Sequence, residues 1–387
     1  MRHQNTVFHT LQKFIPWNDF ETLVEKYGAD HRVRSFGTKS QFLALLFGQL
    51  SGAASLREIV DSLQSQSSRL YHLGMKAPAR STFCDANRLR PSALFADLFA
   101  RMAQRACRAT RRQMGGADTT LLLDSTQLQL TSLSGGWLSA KADGSRALKL
   151  HVVHDLSRQT PVKATISDQR VNDITPAQDL AVEPGATYVF DLGYYDFAWW
   201  AAFDAAGCRF VTRLKSHSRL TVTAETGVEP GGAVLSDRIG LLTQRTAQSR
   251  TPAFTDPVRE IAVTISTGKT IRIVTNDLDA PAEEIADLYK QRWQIELFFK
   301  WIKQNLKIKT FVGTSENAIR TQIFVALIAY ILLRLAHDAQ KAIERPLSFR
   351  RLVRLNLMEK RDVTDLNKPR SRLPEDPRQA SFDLQVI

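Results

Sequence analysis

The stretch Tyr289-Lys-Gln-Arg-Trp-Gln-Ile-Glu-Leu-Phe-Phe-Lys-Trp-Ile-Lys303 decides how the chain is read. Pro281 precedes it, followed by Glu283, Glu284 and Asp287, and an early proline with acids in the first turns is a helix-start pattern. No proline or glycine interrupts until Gly313, so the spacing predicts one helix from about Ala282 to about Leu306. At roughly 100° per residue, Leu288, Ile295, Phe299, Ile302 and Leu306 fall in a narrow arc, the expected buried seam. Tyr289, Arg292, Glu296 and Lys303 form a second stripe beside it. A lone carboxylate flanked by cations at the edge of a core is poorly explained as a solvated face; it reads as a site. Trp293, Leu297 and Trp301 lie on a third side, which predicts neighbours on more than one face.

The chain has 387 residues, enough for a large core and two or three domains. With 43% apolar and 24% charged residues, its composition is globular and not disordered. The formal charge of +13 favours a polyanionic partner. That excess is uneven, since residues 1–117 hold 17 lysines and arginines against 8 acids, a net +9. Cys84, Cys107 and Cys208 are widely spaced, fit no metal-ligand pattern and read as reduced thiols of a cytosolic protein. There is no apolar leader at the N-terminus. The longest apolar run, Ile323 to Leu333, is shorter than the ~20 residues a bilayer span needs and reads as a buried helix. No membrane partner is expected.

Helical spacing dominates the first third, with apolar positions at Phe8, Leu11, Phe14 and Ile15, then Phe20, Leu23 and Val24. Gln41 to Leu50 and the stretch opened by Ser55 read as further helices. After Pro78, Arg80 to Arg90 reads as a helix with Arg80, Ser81, Thr82, Asn87 and Arg88 outward, either a recognition helix of a helix-turn-helix-like unit or part of an ordinary basic helical domain. From Thr119 the period becomes that of strands: Thr119 to Leu130, Leu148 to Leu156 and Pro161 to Ser167. A loop carrying Lys141 and Arg146 lies between the first two. A short helix (Pro176 to Val182), a strand ending at Gly193, a helix (Tyr195 to Ala206) and a strand (Cys208 to Leu214) follow, an α/β order with a mixed sheet. Residues 217–277 are β-rich and close with Thr270 to Thr275. Beyond the organising helix come a long helix from Glu316 to about Ala342, a basic helix after Pro346, and a polar, proline-rich tail from Lys368.

Two acids stand out in the strand region. Asp124 ends an apolar strand, where an unpartnered charge is costly, and Asp191 ends a second, followed closely by glycine. With Glu296 from a helix packed on the same sheet, they can converge. Three hard oxygen donors suit Mg²⁺ or Mn²⁺, and a pair of such ions about 4 Å apart stabilises the attacking and leaving oxygens of phosphoryl transfer. Asp155, Asp168, Asp173 and Asp196 are rival second acids, but their loop and helix-start settings favour turn and capping roles. His151 and His154 share a strand and point to opposite faces, which argues against a shared metal. Gly268-Lys-Thr270 lacks the earlier glycine of a phosphate-binding loop and reads as a hairpin turn. No G-x-S-x-G or H-E-x-x-H pattern occurs.

Tyr289, Arg292, Glu296 and Lys303 match, at every spacing, the Y-(2)-R-(3)-E-(6)-K signature, and the chain resembles the DDE transposases of bacterial insertion sequences (insertion sequence family four). Leu-Leu-Leu-Asp124-Ser-Thr and Tyr-Val-Phe-Asp191-Leu-Gly-Tyr look like that family's first and second acids, though Leu192 stands where arginine is expected. The likeness runs from about residue 5 to about 345. It implies an α/β, RNase H-like catalytic core with a mixed sheet and a β-rich insertion, preceded by an all-α N-terminal domain. The division expected is 1–95 for DNA binding, 96–117 as a basic linker helix, 118–216 and 278–345 as the two parts of the core, 217–277 as the insertion, and 346–387 as a basic helix with a loose tail.

By the same resemblance, Asp124, Asp191 and Glu296 are catalytic and hold two Mg²⁺ ions, with Mn²⁺ as substitute. Tyr289, Arg292 and Lys303 contact DNA at the scissile phosphate, and Arg80 and Arg88 are further DNA contacts. The implied activity is cleavage of element ends and joining of their 3′-hydroxyls to target DNA by a homo-oligomer on paired terminal inverted repeats, in the bacterial cytoplasm at the nucleoid. Two alternatives stay open: an RNase H-like metal-dependent nuclease that cuts without joining, and a DNA-binding regulator with an inactive core.

Overall fold

The computed structural model describes residues 5–113, 119–243 and 254–369, with side chains of the helix reaching residue 113 described as far as 107. Seven helices come first: α1 (Val7–Gln12), α2 (Trp17–Lys26), α3 (Thr38–Ser51), α4 (Leu56–Ser65), α5 (Ser67–Leu70), α6 (Arg80–Leu89) and α7 (Ser92–Gln113). The Ser55 hydroxyl caps α4 by accepting from the Glu58 N–H at 3.1 Å. Gly52 ends α3 in a left-handed conformation, φ +79°, where a Cβ would be strained. On α6 the expected outward face needs correction. Asn87 is buried, its Oδ1 accepting from Gln41 Nε2 at 2.9 Å, because Phe83, Ala86 and Asn87 recur at helical spacing against α3. Arg80, Ser81, Thr82 and Arg88 are exposed.

The chain then builds one nine-stranded sheet: β1 (Thr120–Leu130), β2 (Arg146–Asp155), β3 (Thr160–Asp168), β4 (Thr187–Val189), β5 (Arg209–Arg213), β6 (Leu220–Thr226), β7 (Val234–Leu242), β8 (Val258–Thr264) and β9 (Thr270–Thr275). Its order is β3-β2-β1-β4-β5-β9-β8-β7-β6. The pairs β1–β2 and β2–β3 are antiparallel, whereas β1–β4 and β4–β5 are parallel. That is an RNase H-like core. Arg146 opens β2 instead of lying in the preceding loop. The strands within 217–277 continue the same sheet, β9 pairing antiparallel with β5. The β8–β9 turn holds Gly268 at φ +76°, as a hairpin requires.

Two apolar layers sandwich the sheet, and strand alternation sorts residues between them. Leu121, Leu123, Tyr188, Phe190 and Phe210 face a cluster with α8 (Ile174–Gln178) and α9 (Phe197–Ala205), centred on Trp200 and Phe203. Leu122, Leu128, Leu148, Leu150 and Val189 face the main core, built with the N-terminal helices and with α10 (Ala282–Gln291), α11 (Trp293–Asn305), α12 (Glu316–Asp338) and α13 (Pro346–Asn356). Truncating a fully buried aromatic such as Trp200 to alanine costs roughly 3–5 kcal/mol. Helix α12 is long and apolar enough to cross a membrane, yet most of it is buried at the centre of this core. Helix α7 packs along α12 and β3, so residue 95 falls inside a packed helix.

The organising helix is two helices. α10 ends at Gln291 and α11 begins at Trp293, with Arg292 as a tightened turn: its N–H donates to the Tyr289 carbonyl and its own carbonyl accepts from Ile295, both three residues away. The expected seam holds across the break, since Leu288, Ile295, Phe299, Ile302 and Leu306 are all buried. On the third side Trp301 packs on Tyr330 of α12, while Trp293 and Leu297 are exposed.

Candidate active site

The register of β1 against β4 places the first two acids. Leu122 pairs with Val189 across parallel strands, and Asp124 and Asp191 each stand two residues further along. Both therefore point to the face of Leu122 and Val189, one strand apart, about 4.8 Å in a sheet. Asp191 lies just beyond β4 and its Oδ1 accepts the Gly193 N–H at 2.8 Å, which turns the chain into a short 3₁₀ turn, Leu192–Tyr194. Asp124 Oδ1 accepts the Ser125 N–H at 2.7 Å.

Helix α11 lies on β1 and supplies the third acid. Arg292 connects the two elements: Nη2 donates to Glu296 Oε1 at 2.7 Å, and Nη1 stands 3.6 Å from Asp124 Oδ2. The Tyr289 ring lies beneath the same guanidinium, 6.0 Å from its centroid. One helical face further on, Lys303 Nζ donates to Thr126 Oγ1 at 2.6 Å, and Thr126 is the next residue along β1 on the Asp124 face. Of the four stripe residues Arg292 reaches Asp124 directly, with Glu296 and Tyr289 against the same guanidinium and Lys303 on the neighbouring β1 position. Arg80 and Arg88 are not among these contacts; they are exposed on α6, where Arg88 faces Asp85 at 3.4 Å.

Burial raises the Asp124 carboxyl from its usual 3.8 to about 7, and the charges of Asp191 and Glu296 push the same way against the Ser125 N–H and Arg292. Burial and the positive charge of Lys309 lower the Lys303 ammonium. Beside the acids opens a cleft of about 450 Å³ lined by Asp124, Ser125, Thr126, Glu296, Lys300, Lys303 and Lys309, among others. Two of the three acids and three lysines line it; Asp191 is not among its lining residues. Lys300 follows Glu296 by one helical turn and was legible as such; Thr126 needed only strand alternation from Asp124. Lys309 follows no periodic signal.

Whether these residues fit a divalent cation can be tested on their chemistry. Three carboxylates are a suitable donor set, and the raised Asp124 carboxyl marks a buried acid whose ionised form gains from a bound cation. Among the described residues no three histidine, cysteine or carboxylate side chains already converge on a single ligating point. Arg292 lies between Asp124 and Glu296 and is their present counter-charge. The donor set fits, with Arg292 as the group that must yield.

Of the rival acids, Asp155 accepts from the Arg158 N–H, Asp168 from Arg170 and Asp196 from Trp199, all turn and cap roles. Asp173 departs from that expectation: at the start of α8 it makes no side-chain cap. His151 and His154 face opposite sides of β2, His151 towards Ser167 and His154 towards Phe298.

Fold and site together define a DDE-type transposase with an RNase H-like core. Residues 115–332 match the Transposase DDE domain family, and the chain belongs to it. Residues 3–76 match a second family, described only as a domain of unknown function (DUF4372). A Sinorhizobium fredii protein bearing the name transposase y4zB is 41% identical over 298 residues, 76% of this chain and 81% of that one. A Geobacillus stearothermophilus protein, named for transposition of insertion sequence element IS5377, is 28% identical over 350 residues, 88% and 87% of the two chains. A piggyBac transposase synaptic complex with hairpin DNA aligns over 96% of this chain and 84% of its own at 12% identity and a TM-score of 0.44, a likeness too remote to argue from. Family membership makes DNA the partner and a divalent metal the cofactor.

Proposed function

We propose that Asp124, Asp191 and Glu296 are the three metal-holding acids of an insertion-element transposase, and that Mg²⁺ is the ion, with Mn²⁺ able to replace it. The observation that carries this reading is the single guanidinium of Arg292 against both Asp124 and Glu296, beside the matched register of Asp124 and Asp191. When bound, the divalent pair supplies Lewis-acid stabilisation of charge on phosphate oxygens.

The chain's own groups do the rest. A water oxygen forms a bond to the phosphorus at the element end as the P–O3′ bond breaks, and the leaving oxygen takes a proton to become a 3′-hydroxyl. That hydroxyl attacks a target phosphodiester in turn, releasing a target 3′-oxygen. Arg292 and Lys303 hold the phosphate next to the scissile bond, Tyr289 supports the Arg292 guanidinium, and Lys300 and Lys309 extend the basic wall along the DNA backbone. Arg80 and Arg88, exposed on α6, bind end DNA as part of an N-terminal binding region over residues 1–95, joined through 96–117 to a core in two parts, 118–216 and 278–345. In that division 217–277 is the insertion and 346–387 the C-terminal appendage. The working form is a homo-oligomer on paired ends, acting at the nucleoid in the cytoplasm.

Incubating the full chain with end-sequence duplex, target DNA and Mg²⁺ tests this. Joined products support transposition. Cuts without joined strands favour a nuclease, and binding without cuts favours a regulator with an inactive core.

A further inference from the structure

Asp173 is the one rival acid that leaves its helix uncapped. Its carboxylate is directed across the end of the sheet instead. Oδ1 accepts the Ser125 hydroxyl at 2.8 Å and the Lys149 ammonium at 3.1 Å, and lies 3.7 Å from His151 Nδ1. Lys149 is itself fixed by donating to the Val171 carbonyl at 2.8 Å. Ser125 is the residue whose N–H holds Asp124. The other oxygen, Oδ2, faces the second acid: a Cβ built on Gly193 would sit 3.2 Å from it and 3.0 Å from Asp191 Oδ1. A Cβ there would press on both carboxylates more tightly than an ordinary contact, so that they would have to give by a few tenths of an ångström, and Gly193 is the residue whose N–H holds Asp191. The Tyr194 hydroxyl, buried nearby, is kept un-ionised by burial and by the charges of Asp124, Asp173 and Asp191.

Resting on the reading of Asp124 and Asp191 as metal-holding acids, we infer that Asp173 is a positioning residue that sets the spacing of those two acids, through Ser125 on one side and Gly193 on the other. It does not touch the reacting atoms. Its work is mechanical, and Lys149 neutralises it so that it adds no net charge to the site. Outer partners of this kind change metal affinity about 10–100-fold when removed.

The test uses the full chain bound to end-sequence DNA, with Mn²⁺ binding read from the loss of its free EPR signal and melting temperature read in parallel. Asp173→Ala is expected to weaken Mn²⁺ binding about tenfold. Asp173→Asn, which keeps an acceptor for Ser125, stays within about threefold of wild type on the same scale. Gly193→Ala, which separates the carboxylates without deleting either, follows Asp173→Ala and carries the test should that variant fail to fold. Unchanged affinity in a folded Asp173→Ala or Gly193→Ala overturns the inference. So does an Asn variant as weak as the Ala variant, because charge and not spacing would then matter. Asp124→Asn separates the two levels: if it abolishes Mn²⁺ binding while a folded Asp173→Ala leaves the affinity unchanged, only the role of Asp173 fails. If Asp124→Asn also leaves binding intact, the reading of the acids fails with it.

Discussion

Arg292 donates to Glu296 at 2.7 Å across a single turn, although the helix is broken at Arg292 itself. The tightened turn occurs at the residue whose guanidinium also reaches Asp124, so the backbone irregularity and the charge bridge coincide. In the absence of metal, Arg292 occupies the place between the acids. On the proposed function, its partner in the DNA complex is phosphate.

Two opposed effects of Arg292→Ala follow. Divalent binding to the DNA-free chain tightens by about tenfold, since a competing positive charge is gone. End cleavage slows by about 10²–10³, the usual cost of removing a donor to developing charge. Calorimetric metal titration and a cleavage time course check both; weaker metal binding would show that Arg292 organises the acids and does not compete for them.

Lys303 and Thr126 offer a test of phosphate contact. Lys303→Met is expected to reduce the salt slope of end binding by about one and to slow cleavage. Thr126→Val removes only the anchor at 2.6 Å, so it should slow cleavage less and leave the salt slope unchanged. Binding measured across a salt series distinguishes them. Equal slopes for wild type and Lys303→Met would remove Lys303 from the DNA interface.

Arg80 and Arg88 stand apart from the acids and exposed on α6. The double substitution to alanine should lower the salt slope by about two while leaving the single-turnover cleavage rate at saturating DNA within a factor of about two, on the same contact-counting argument. A gel-shift series with pre-steady-state cleavage measures both. A slope unchanged from wild type would make α6 an ordinary basic surface.

His154 supplies a pH dependence away from the acids. Its ring is buried against Phe298, and burial, helped by Arg334 and opposed by the Gln159 backbone, lowers its pKa from 6.5 to about 3. The unfolded chain thus binds the extra proton first. Stability from His154 is present above pH 6.5 and is lost as pH falls towards 3, by roughly 1–4 kcal/mol. His154→Leu should flatten the wild-type decline between those limits in urea titrations. Parallel curves for the two proteins would contradict the assignment.

Asp124, Asp191 and Glu296 were legible as candidates because a carboxylate closing an apolar run and a fixed helical stripe are local signals, although Asp124 lies within β1 and not at the strand's end. Asp124 and Asp191 were recognisable from apolar runs ending in a carboxylate, while their equal offset from the Leu122–Val189 pair appears only once β1 and β4 are side by side. The break at Arg292 was not legible, because no proline or glycine marks it. Asn87 pointed inward for a similar reason, since Gln41 of a different helix receives it. The helix-start setting of Asp173 suggests a cap, whereas its partners Ser125 and Lys149 come from two separate strands. The loose tail expected from Lys368 lies mostly outside the described residues.

The central claim is that Asp124 and Glu296, bridged by Arg292, perform DNA strand cleavage and joining together with Asp191, and Glu296→Gln tests it most directly. This change keeps the size of the side chain and an acceptor for Arg292 while removing the charge. Assayed on end-sequence duplex with target DNA and Mg²⁺, the variant is predicted to bind ends with nearly wild-type affinity and to yield neither cut nor joined strands. Joining at the wild-type rate by Glu296→Gln would contradict the account.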